Sequence, residues 1–251
     1  MLKQLILAAS TAAFLSPALM AADDVSPAER KKIESVVQDY LLEHPEVIMQ
    51  AIRELQRRQT LAQMLPAIER YRSYLETDSE APVLGNPNGD VTIVEFFDYR
   101  CGFCRRHYPA VMKLVEEDGN IRLLPKQFPI LDGPDSKPLS MLSAKAALAA
   151  HKQGKFAEFH SAMMLSGTQV TEESIYQAAA KVGLDVTMLK ADMGDKLIEK
   201  RIGNTLAIGQ DIGFSGTPGY IIGKDVVLGA EGYDRLHEAV ARARAEKEQS
   251  R

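Results

Sequence analysis

The sequence has little of several features that would mark common classes of protein. It has no tryptophan, and aromatic residues make up only 6% of its 251 residues, which argues against a surface that stacks bases or sugars. Its 30 basic and 34 acidic residues leave a net charge of −4, so it lacks the basic surface of a nucleic-acid-binding protein. Its two cysteines are too few for a scaffold held together by disulfides. Hydrophobic residues at 45% and charged residues at 25% are the proportions of a folded globular protein.

The first residues have the pattern of a secretory signal peptide. Lys3 precedes an uncharged stretch from Leu5 to Leu19, and the small residues Ala21 and Ala22 follow it. A membrane anchor is the alternative, but the stretch is short for a membrane span and is interrupted by polar residues and a proline. The sequence therefore predicts a signal peptide at residues 1–21 and a mature protein in the periplasm, where thiols can be oxidised.

Residues 22–80 are predicted to be helical, without a strand. Ser26-Pro27 is typical of a capped helix start, and His44-Pro45 is expected to end that helix. Apolar residues recur at helical spacing on both sides of this break, and Pro66 is expected to kink or end a later helix. A segment of about fifty residues is marginal for a core of its own, so its apolar stripes must pack on the following domain or on another copy of the chain. We favour the second alternative and predict a homo-oligomer formed through residues 26–75.

After this segment the pattern changes to alternating strands and helices. Val91–Phe97 is a β-rich run that leads into a helix, and Ile121–Phe128 is a second strand candidate in which Pro125 suggests an edge position or an early strand end. These elements predict a β-α-β unit. A mostly helical stretch follows at about 139–213, with one helix expected over Met188–Gln210, before two short strands and a final helix.

The two cysteines, Cys101 and Cys104, form a Cys-x-x-Cys motif where the first strand meets its helix. The N-terminus of a helix stabilises a thiolate through its unpaired amide groups and its dipole. Cys101 is therefore expected to be the reactive thiol, and Cys104 the more buried thiol that resolves a mixed disulfide. Four nearby side chains are expected to add positive charge and favour the thiolate further: Arg100, Arg105, Arg106 and His107.

A structural disulfide and a zinc site are the two alternatives to redox chemistry for this cysteine pair. A structural disulfide across so short a loop would constrain the unfolded chain only weakly. A zinc site would need two further ligands, and the sequence has no second cysteine pair and no paired histidines at ligand spacing. The sequence thus favours a redox pair, and it predicts neither a metal site nor a cofactor.

The stretch from Val94 to Cys104, VEFFDYRCGFC, resembles the active-site strand and helix start of DsbA-type thiol–disulfide oxidoreductases. Residues 216–219, GTPG, resemble the loop in which a cis-proline faces the cysteine pair of that family. The resemblance implies an α/β, thioredoxin-like fold over residues 81–251. A helical domain is expected to be inserted in it at about 139–213, and an all-helical oligomerisation segment is expected to precede it. A Cys-Gly-aromatic-Cys motif behind helical N-terminal residues most resembles the ScsC (suppressor of copper sensitivity) group and related oligomeric DsbA-like proteins.

The resemblance also implies roles for residues outside the cysteine pair. Pro218 is expected to be the cis-proline and, with Thr217, to pair with an extended client strand. Phe103, between the cysteines, is expected to contact clients. Glu95 is expected to lie buried beneath the inner cysteine and to help move its proton, with Lys126 as a candidate partner. The alternative for Glu95 is a strand residue that faces solvent.

Together these features predict a periplasmic thiol–disulfide oxidoreductase with isomerase capacity. Its expected partners are unfolded or misoxidised exported proteins and a membrane redox partner. The residues between the cysteines, Gly102-Phe103, lack the histidine of the DsbA oxidase and are more similar to those of the isomerases DsbC and DsbG, whose N-terminal domain is β-rich. The alternatives are a plain dithiol oxidase, a copper(I)-binding protein that uses the same cysteines, and a holdase for unfolded chains.

Overall fold

The computed structural model of the chain describes residues 25–134 and 136–249. The predicted signal peptide at residues 1–21 lies outside the described residues. The chain divides into two compact units, of which the first ends at Leu55 and the second begins at Gln56. Within the described part of the chain, no helix combines the length and the apolar character that crossing a membrane requires.

The first unit contains helix α1 (Pro27–Glu43) and the beginning of helix α2 (Glu46–Glu76). A capping box starts α1: the Ser26 hydroxyl accepts a hydrogen bond from the Glu29 N–H at 3.3 Å, and the Glu29 carboxylate accepts one from the Ser26 N–H at 3.1 Å. The helix ends before His44-Pro45, as predicted, because a residue that precedes proline is disfavoured in helical geometry. No residue of α1 is buried.

The second half of α2 is part of the core of the second unit. Four of its residues are buried there: Met64, Ala67, Ile68 and Leu75. They share one hydrophobic cluster with sheet residues such as Phe96. Pro66 lies inside α2 and does not end it. The helical segment predicted over residues 22–80 therefore does not have a single role, since its last third packs on the sheet instead of presenting a free stripe.

A five-stranded sheet in the order β1-β3-β2-β4-β5 forms the centre of the second unit. Strands β2 and β3 are parallel and are joined by helix α3, which confirms the predicted β-α-β unit, while β4 is antiparallel to β2 and β5 to β4. The elements are β1 (Leu84–Gly85), β2 (Val91–Phe97), α3 (Gly102–Asp118), β3 (Ile121–Gln127), β4 (Gly219–Ile222) and β5 (Asp225–Leu228).

Pro125 lies within β3, opposite Glu95 of β2. Strand β1 pairs only with Leu123 and Arg122, so it does not reach Pro125. At this point β3 has β2 as its only neighbour in the described sheet. Such an edge-like position tolerates a residue that has no N–H to donate.

A block of five helices separates β3 from β4, and a final helix follows β5. These helices are α4 (Leu139–Lys152), α5 (Phe156–Met164), α6 (Glu172–Lys181), α7 (Val186–Asp192), α8 (Lys196–Ile212) and α9 (Tyr233–Gln249). The prediction of a single helix over Met188–Gln210 is wrong, because α7 ends and α8 begins within this range. Asp195 begins a new helix there by accepting a hydrogen bond from the Leu197 N–H at 2.8 Å, as N-cap aspartates do.

The two faces of the sheet are covered by different helices. Ile93 and Phe97 of β2 belong to a cluster with α3, α9 and most of the helical block, whereas Val94 and Phe96 belong to a cluster with α2 and the end of α8. Because successive residues of a strand point to opposite faces, Glu95 lies on the α3 face. The fold thus places one carboxylate in the apolar layer beneath the helix that carries the cysteines.

Candidate active site at the start of α3

Strand β2 leads to Cys101, which is the N-cap residue of α3. The Cys101 sulfur accepts a hydrogen bond from the Cys104 backbone N–H at 3.5 Å, in the way a capping side chain does. Both thiols are free in the structure; Cys101 is 6% exposed and Cys104 is fully buried. The outer and inner positions predicted for the two cysteines agree with this difference in exposure.

Hydrogen bonding lowers the pKa of the Cys101 thiol to about 5. The largest contribution is the hydrogen bond from the Cys104 thiol, and the backbone N–H groups of Cys104 and Phe103 act in the same direction. These bonds stabilise the thiolate by more than partial burial destabilises it. Cys101 can therefore act as a nucleophile at neutral pH.

The pKa of the Cys104 thiol is raised far above its ordinary value. Burial is the main cause, and the hydrogen bond to Cys101 and the charge of Glu95 act in the same direction. The inner thiol thus stays protonated until a base removes its proton. The pKa values of the two thiols are shifted in opposite directions although only two residues lie between them.

The loop before β4 brings Thr217 and Pro218 to the cysteine pair. The peptide bond between them is cis, as the resemblance implied. The Cys101 thiol donates a hydrogen bond to the Thr217 carbonyl at 3.2 Å, and Pro218 is buried. The Thr217 peptide is therefore the part of the second motif that touches the outer sulfur.

Glu95 is 1% exposed, so the alternative of a solvent-facing residue is wrong. Burial raises the pKa of its carboxyl to about 7, while a hydrogen bond from the Tyr220 hydroxyl at 3.1 Å opposes the rise. The expectation that Lys126 is the partner of Glu95 is also wrong. It lies opposite Phe96 in the register, on the other face of the sheet, where its ammonium stacks on the Tyr74 ring at 5.5 Å.

The four cationic side chains expected to favour the thiolate are engaged elsewhere. Arg100 pairs with Asp132 at 2.9 Å, and Arg105 donates to the Thr168 carbonyl at 2.7 Å. Arg106 stacks on the Phe103 ring, and His107 bonds to Tyr220. The low pKa of Cys101 comes from hydrogen bonds and not from these charges. Arg100 and Arg105 anchor loops around the site instead.

Phe103 is the second residue of α3 and is 60% exposed beside the cysteines. The Arg106 guanidinium lies 4.7 Å from the centre of its ring, which limits the directions the ring can take. An exposed aromatic ring next to the reactive sulfur is an apolar surface open to contact.

Tyr220 was missed by the sequence reasoning, although it follows Pro218 by only two residues. Its hydroxyl is the group bonded to Glu95, and it lies directly opposite Glu95 in the β2–β4 register. Only the antiparallel register of β2 and β4 reveals this contact, and the sequence does not specify that register. Among residues 25–134 and 136–249, no group of three or more His, Cys, Asp or Glu side chains is arranged to hold a metal ion.

Comparison with known families agrees with this geometry. Residues 92–241 match the model of the DSBA-like thioredoxin domain. The chain belongs to this family. Residues 29–60 also match the copper resistance protein ScsC N-terminal domain. The thioredoxin-like α/β fold with inserted helices and a helical N-terminal segment, predicted from the sequence, is thereby confirmed for this DSBA-like protein.

Solved structures of similar chains include a thioredoxin-like oxidoreductase from Silicibacter pomeroyi, which is 42% identical with a TM-score of 0.65 over 69% of this chain and 98% of that one. Proteus mirabilis ScsC in a transitional conformation is 25% identical with a TM-score of 0.63 over 88% and 97% of the two chains. Among curated proteins, the Na(+)/H(+) antiporter NhaA 3 of Salinispora tropica is 26% identical over 140 residues, which are 56% of this chain. The chain spans only 18–24% of the length of the curated relatives it matches.

Proposed function

We propose that this DSBA-like protein catalyses thiol–disulfide exchange on cysteines of exported proteins, with the capacity to isomerise wrong disulfides. The observation that carries the proposal is the difference between its two thiols. Cys101 has a pKa lowered to about 5 at a helix start, whereas the pKa of buried Cys104 is strongly raised. An ionised outer thiol that attacks and a protonated inner thiol that waits are the requirements of a redox pair.

The exchange proceeds in two steps. The Cys101 thiolate attacks one sulfur of a client disulfide, so that a mixed disulfide forms and the other client sulfur leaves as a thiolate with the electron pair of the broken bond. Cys104 then loses its proton and attacks Cys101, which releases the second client sulfur and leaves the client reduced by two electrons and the Cys101–Cys104 pair oxidised. In isomerisation a client thiolate resolves the mixed disulfide before Cys104 does. In oxidation the two steps run in reverse.

The loop at Thr217-Pro218 and the ring of Phe103 are proposed to hold the client. The Thr217 carbonyl oxygen lies 3.2 Å from the Cys101 sulfur, so a client strand that pairs with this backbone would place its cysteine next to the reactive sulfur. Phe103, at 60% exposure, offers apolar contact on the other side of Cys101. Such binding depends on backbone and on apolar surface, and it therefore accepts many client sequences.

Ribonuclease A supplies the test, in its scrambled and in its fully reduced form. An isomerase restores activity to scrambled ribonuclease, whereas a plain oxidase, the alternative, acts mainly on the reduced form. We expect both activities in the mature protein and neither in Cys101→Ser. Cys104→Ser should form mixed disulfides with clients that fail to resolve. Activity on reduced ribonuclease alone would favour the plain oxidase.

A homo-oligomer formed by the first unit is the proposed assembly. Ile33, Val36 and Tyr40 of α1 are more than half exposed. Within the first unit an apolar groove is lined by Ile33, Val37, Leu41, Leu42 and Ile48. Exposed apolar surface of this kind is buried when copies associate, and the match of residues 29–60 to the ScsC N-terminal domain supports a separate role for this segment. The buried part of α2 is excluded from the interface, so the segment proposed for association ends near Leu55 and not at Leu75.

Export to the periplasm and recycling by a membrane redox partner complete the proposal. Export is supported by the sequence pattern before residue 22, with its lysine, apolar stretch and small residues. Fractionation of cells that produce the full-length chain, with sequencing of the mature N-terminus, tests export. We expect a periplasmic protein that begins at about residue 22.

Copper(I) binding is kept as a second candidate because residues 29–60 match a domain of a copper resistance protein. Two thiolates are ligands that copper(I) prefers, and here the pair is Cys101 and Cys104. Competition with a copper(I) chelator, run on the mature protein and on Cys101→Ser, tests it. Binding that is tight and lost in the variant would support the copper candidate, and binding no tighter than that of the variant would exclude it.

A further inference from the structure

Four groups beneath the cysteine pair form one continuous hydrogen-bonded chain. The Gly232 N–H donates to Nε2 of His107 at 3.0 Å. Nδ1 of His107 lies 2.7 Å from the Tyr220 hydroxyl, which in turn donates to Oε1 of Glu95 at 3.1 Å. This hydrogen-bonded chain connects α3, β4 and β2 with the loop before α9.

The direction of these bonds follows from Gly232. A backbone N–H can only donate, so Nε2 of a neutral His107 carries no hydrogen and Nδ1 carries it. Nδ1–H then donates to the Tyr220 oxygen, which leaves the Tyr220 hydrogen for Glu95. Burial lowers the pKa of His107, in agreement with a neutral ring. All the donors in the chain therefore point towards Glu95.

The hydrogen-bonded chain leads from the protein interior to a partly exposed loop. Glu95, Tyr220 and His107 are at most 5% exposed, whereas Gly232 is partly exposed. The second oxygen of Glu95, Oε2, has no hydrogen-bond partner among the described residues. The titratable groups that face Glu95 from the surrounding elements are Cys104 and Tyr108 of α3, Tyr220 of β4 and Tyr99 after β2, and His107 is connected to it through Tyr220.

We propose that Tyr220 and His107 form a proton path between Glu95 and solvent at Gly232, through which Cys104 gains and loses its proton. The inference rests on the proposed function, because thiol exchange is the reaction that moves this proton. Glu95 exchanges the proton with Cys104 through its unpartnered Oε2. Tyr220 and His107 act through Glu95 and are positioning residues.

The proton balance is complete in each direction. When a client thiolate attacks Cys101 of the oxidised protein, the Cys101–Cys104 bond breaks and its electron pair stays on Cys104. Glu95 gives its Oε2 proton to Cys104, Tyr220 gives its proton to Oε1, His107 gives its Nδ1 proton to Tyr220, and solvent supplies one proton to Nε2 in place of the Gly232 contact. One proton enters and one reaches sulfur, and rotation of the two O–H groups together with tautomer exchange of the His107 ring then restores the hydrogen bonds of the reduced protein. The reverse transfer removes the proton when Cys104 attacks a mixed disulfide.

Three variants of the full mature protein isolate the path. Tyr220→Phe keeps the ring and removes the hydroxyl. His107→Gln keeps a donor and an acceptor, but an amide does not relay a proton between them as imidazole does. Tyr99→Phe is the matched control: its hydroxyl is equally buried and also bonds to a histidine, His160 at 2.9 Å, but has no bond to Glu95.

The first measurement is the rate at which reduced glutathione reduces the oxidised protein, in H₂O and D₂O from pH 5 to 9. We expect Tyr220→Phe and His107→Gln to be slower by about tenfold at pH 7, with a changed pH profile and isotope effect. Tyr99→Phe should behave as the unaltered protein, and alkylation of Cys101 should be the same in all. Equal rates in Tyr220→Phe and the unaltered protein, or equal losses in Tyr220→Phe and Tyr99→Phe, would overturn the proton path.

The second measurement is the NMR titration of the Glu95 carboxyl in the reduced protein, which needs no activity. The hydrogen bond from Tyr220 lowers the pKa of Glu95, so Tyr220→Phe should raise it and His107→Gln should leave it close to the original value. An unmoved titration in Tyr220→Phe overturns the path. If the unaltered protein exchanges no thiols at all, the proposed function fails instead, whatever the variants show.

Discussion

Cys101 and Cys104 differ in proton affinity because of what each sulfur touches. Cys101 caps a helix and receives hydrogen bonds from two backbone N–H groups and from the Cys104 thiol, which are worth more to an anion than to a neutral thiol. Cys104 lies one turn further in, without access to water and near the Glu95 carboxylate. Reactivity in this pair is therefore a consequence of position on the helix.

Alkylation of the reduced protein tests this difference. The Cys101 pKa of about 5 predicts that iodoacetamide labels one thiol per chain at a rate that rises through a midpoint near pH 5. Mass spectrometry of peptides should place the label on Cys101, and Cys101→Ser should stay unlabelled below pH 8. A midpoint near pH 8.5, the value of an ordinary thiol, would show that the hydrogen bonds do not form in solution.

Glu95 makes the stability of the protein depend on pH. Its pKa is raised from 4.5 to about 7 in the folded state, so the stability linked to its proton is present below pH 4.5 and is lost as the pH rises through 7. Glu95→Gln cannot ionise. It should therefore be more stable than the unaltered protein at pH 8, by up to about 3 kcal/mol, and much closer to it at pH 5.

Urea unfolding of the reduced protein at the two pH values measures the Glu95 effect. Glu116→Gln, which replaces an exposed carboxyl of α3, is the control. It should leave the pH dependence of the unfolding free energy unchanged. A stability difference between Glu95→Gln and the unaltered protein that is the same at pH 5 and pH 8 would contradict the raised pKa.

At the scale of elements, α2 is one helix with two environments. Ile52 in its first half is 42% exposed, and Ile68 in its second half is 1% exposed against the sheet. The same residue type thus has different consequences in one continuous helix. When the apolar stripe of a helix continues past the end of one unit, one half of the helix can form an association surface while the other half packs in the core of the next unit.

Alanine substitutions at these two positions form a matched pair. Ile68→Ala should lower the free energy of unfolding by about 2–5 kcal/mol, because it leaves a cavity in the core of the second unit. Ile52→Ala should change it by less than about 0.5 kcal/mol at a concentration where the chain is monomeric. Thermal and urea unfolding followed by circular dichroism measure both. Equal effects would mean that the two halves of α2 are buried alike.

At the scale of the whole molecule, the proposed oligomer connects the first unit with the type of activity. Several active sites around one client raise the local concentration of attacking thiols. Repeated attack on the same client is what isomerisation needs and what simple oxidation does not. The first unit is therefore expected to affect isomerase activity more than the intrinsic chemistry of the cysteines.

A double substitution in the first unit, Ile33→Asp with Ile48→Asp, tests this connection. Light scattering should give a multiple of the subunit mass for the unaltered mature protein and the monomer mass for the variant, because charged side chains oppose burial of the apolar surface. The variant should lose isomerase activity and keep oxidase activity on reduced ribonuclease. Leu197→Asp, which charges an exposed apolar site in the second unit, should change neither.

A monomeric unaltered protein, or a monomeric variant that isomerises as well as the oligomer, would contradict the connection between assembly and activity. The first result would reject the oligomer, and the second would leave the first unit without a part in isomerisation.

Local patterns determined much of this protein. The β-α-β unit, the capped start of α1, its end before His44-Pro45 and the Cys-x-x-Cys motif at a helix start all depend on residues close together in the chain. Their physical causes, namely capping, proline sterics and alternation of apolar residues, act over a few residues. For that reason they could be predicted without a structure.

Only the tertiary structure decided the contacts between distant residues. Strand register placed Tyr220 opposite Glu95 and moved Lys126 to the other face of the sheet. The partners of the arginines came from loops far along the chain, so that hydrogen bonds and not charges lower the pKa of Cys101. The sequence alone determined which residues carry the chemistry. The proton affinity of Glu95 depends on burial and on Tyr220, more than a hundred residues away, and these surroundings exist only after the chain has folded.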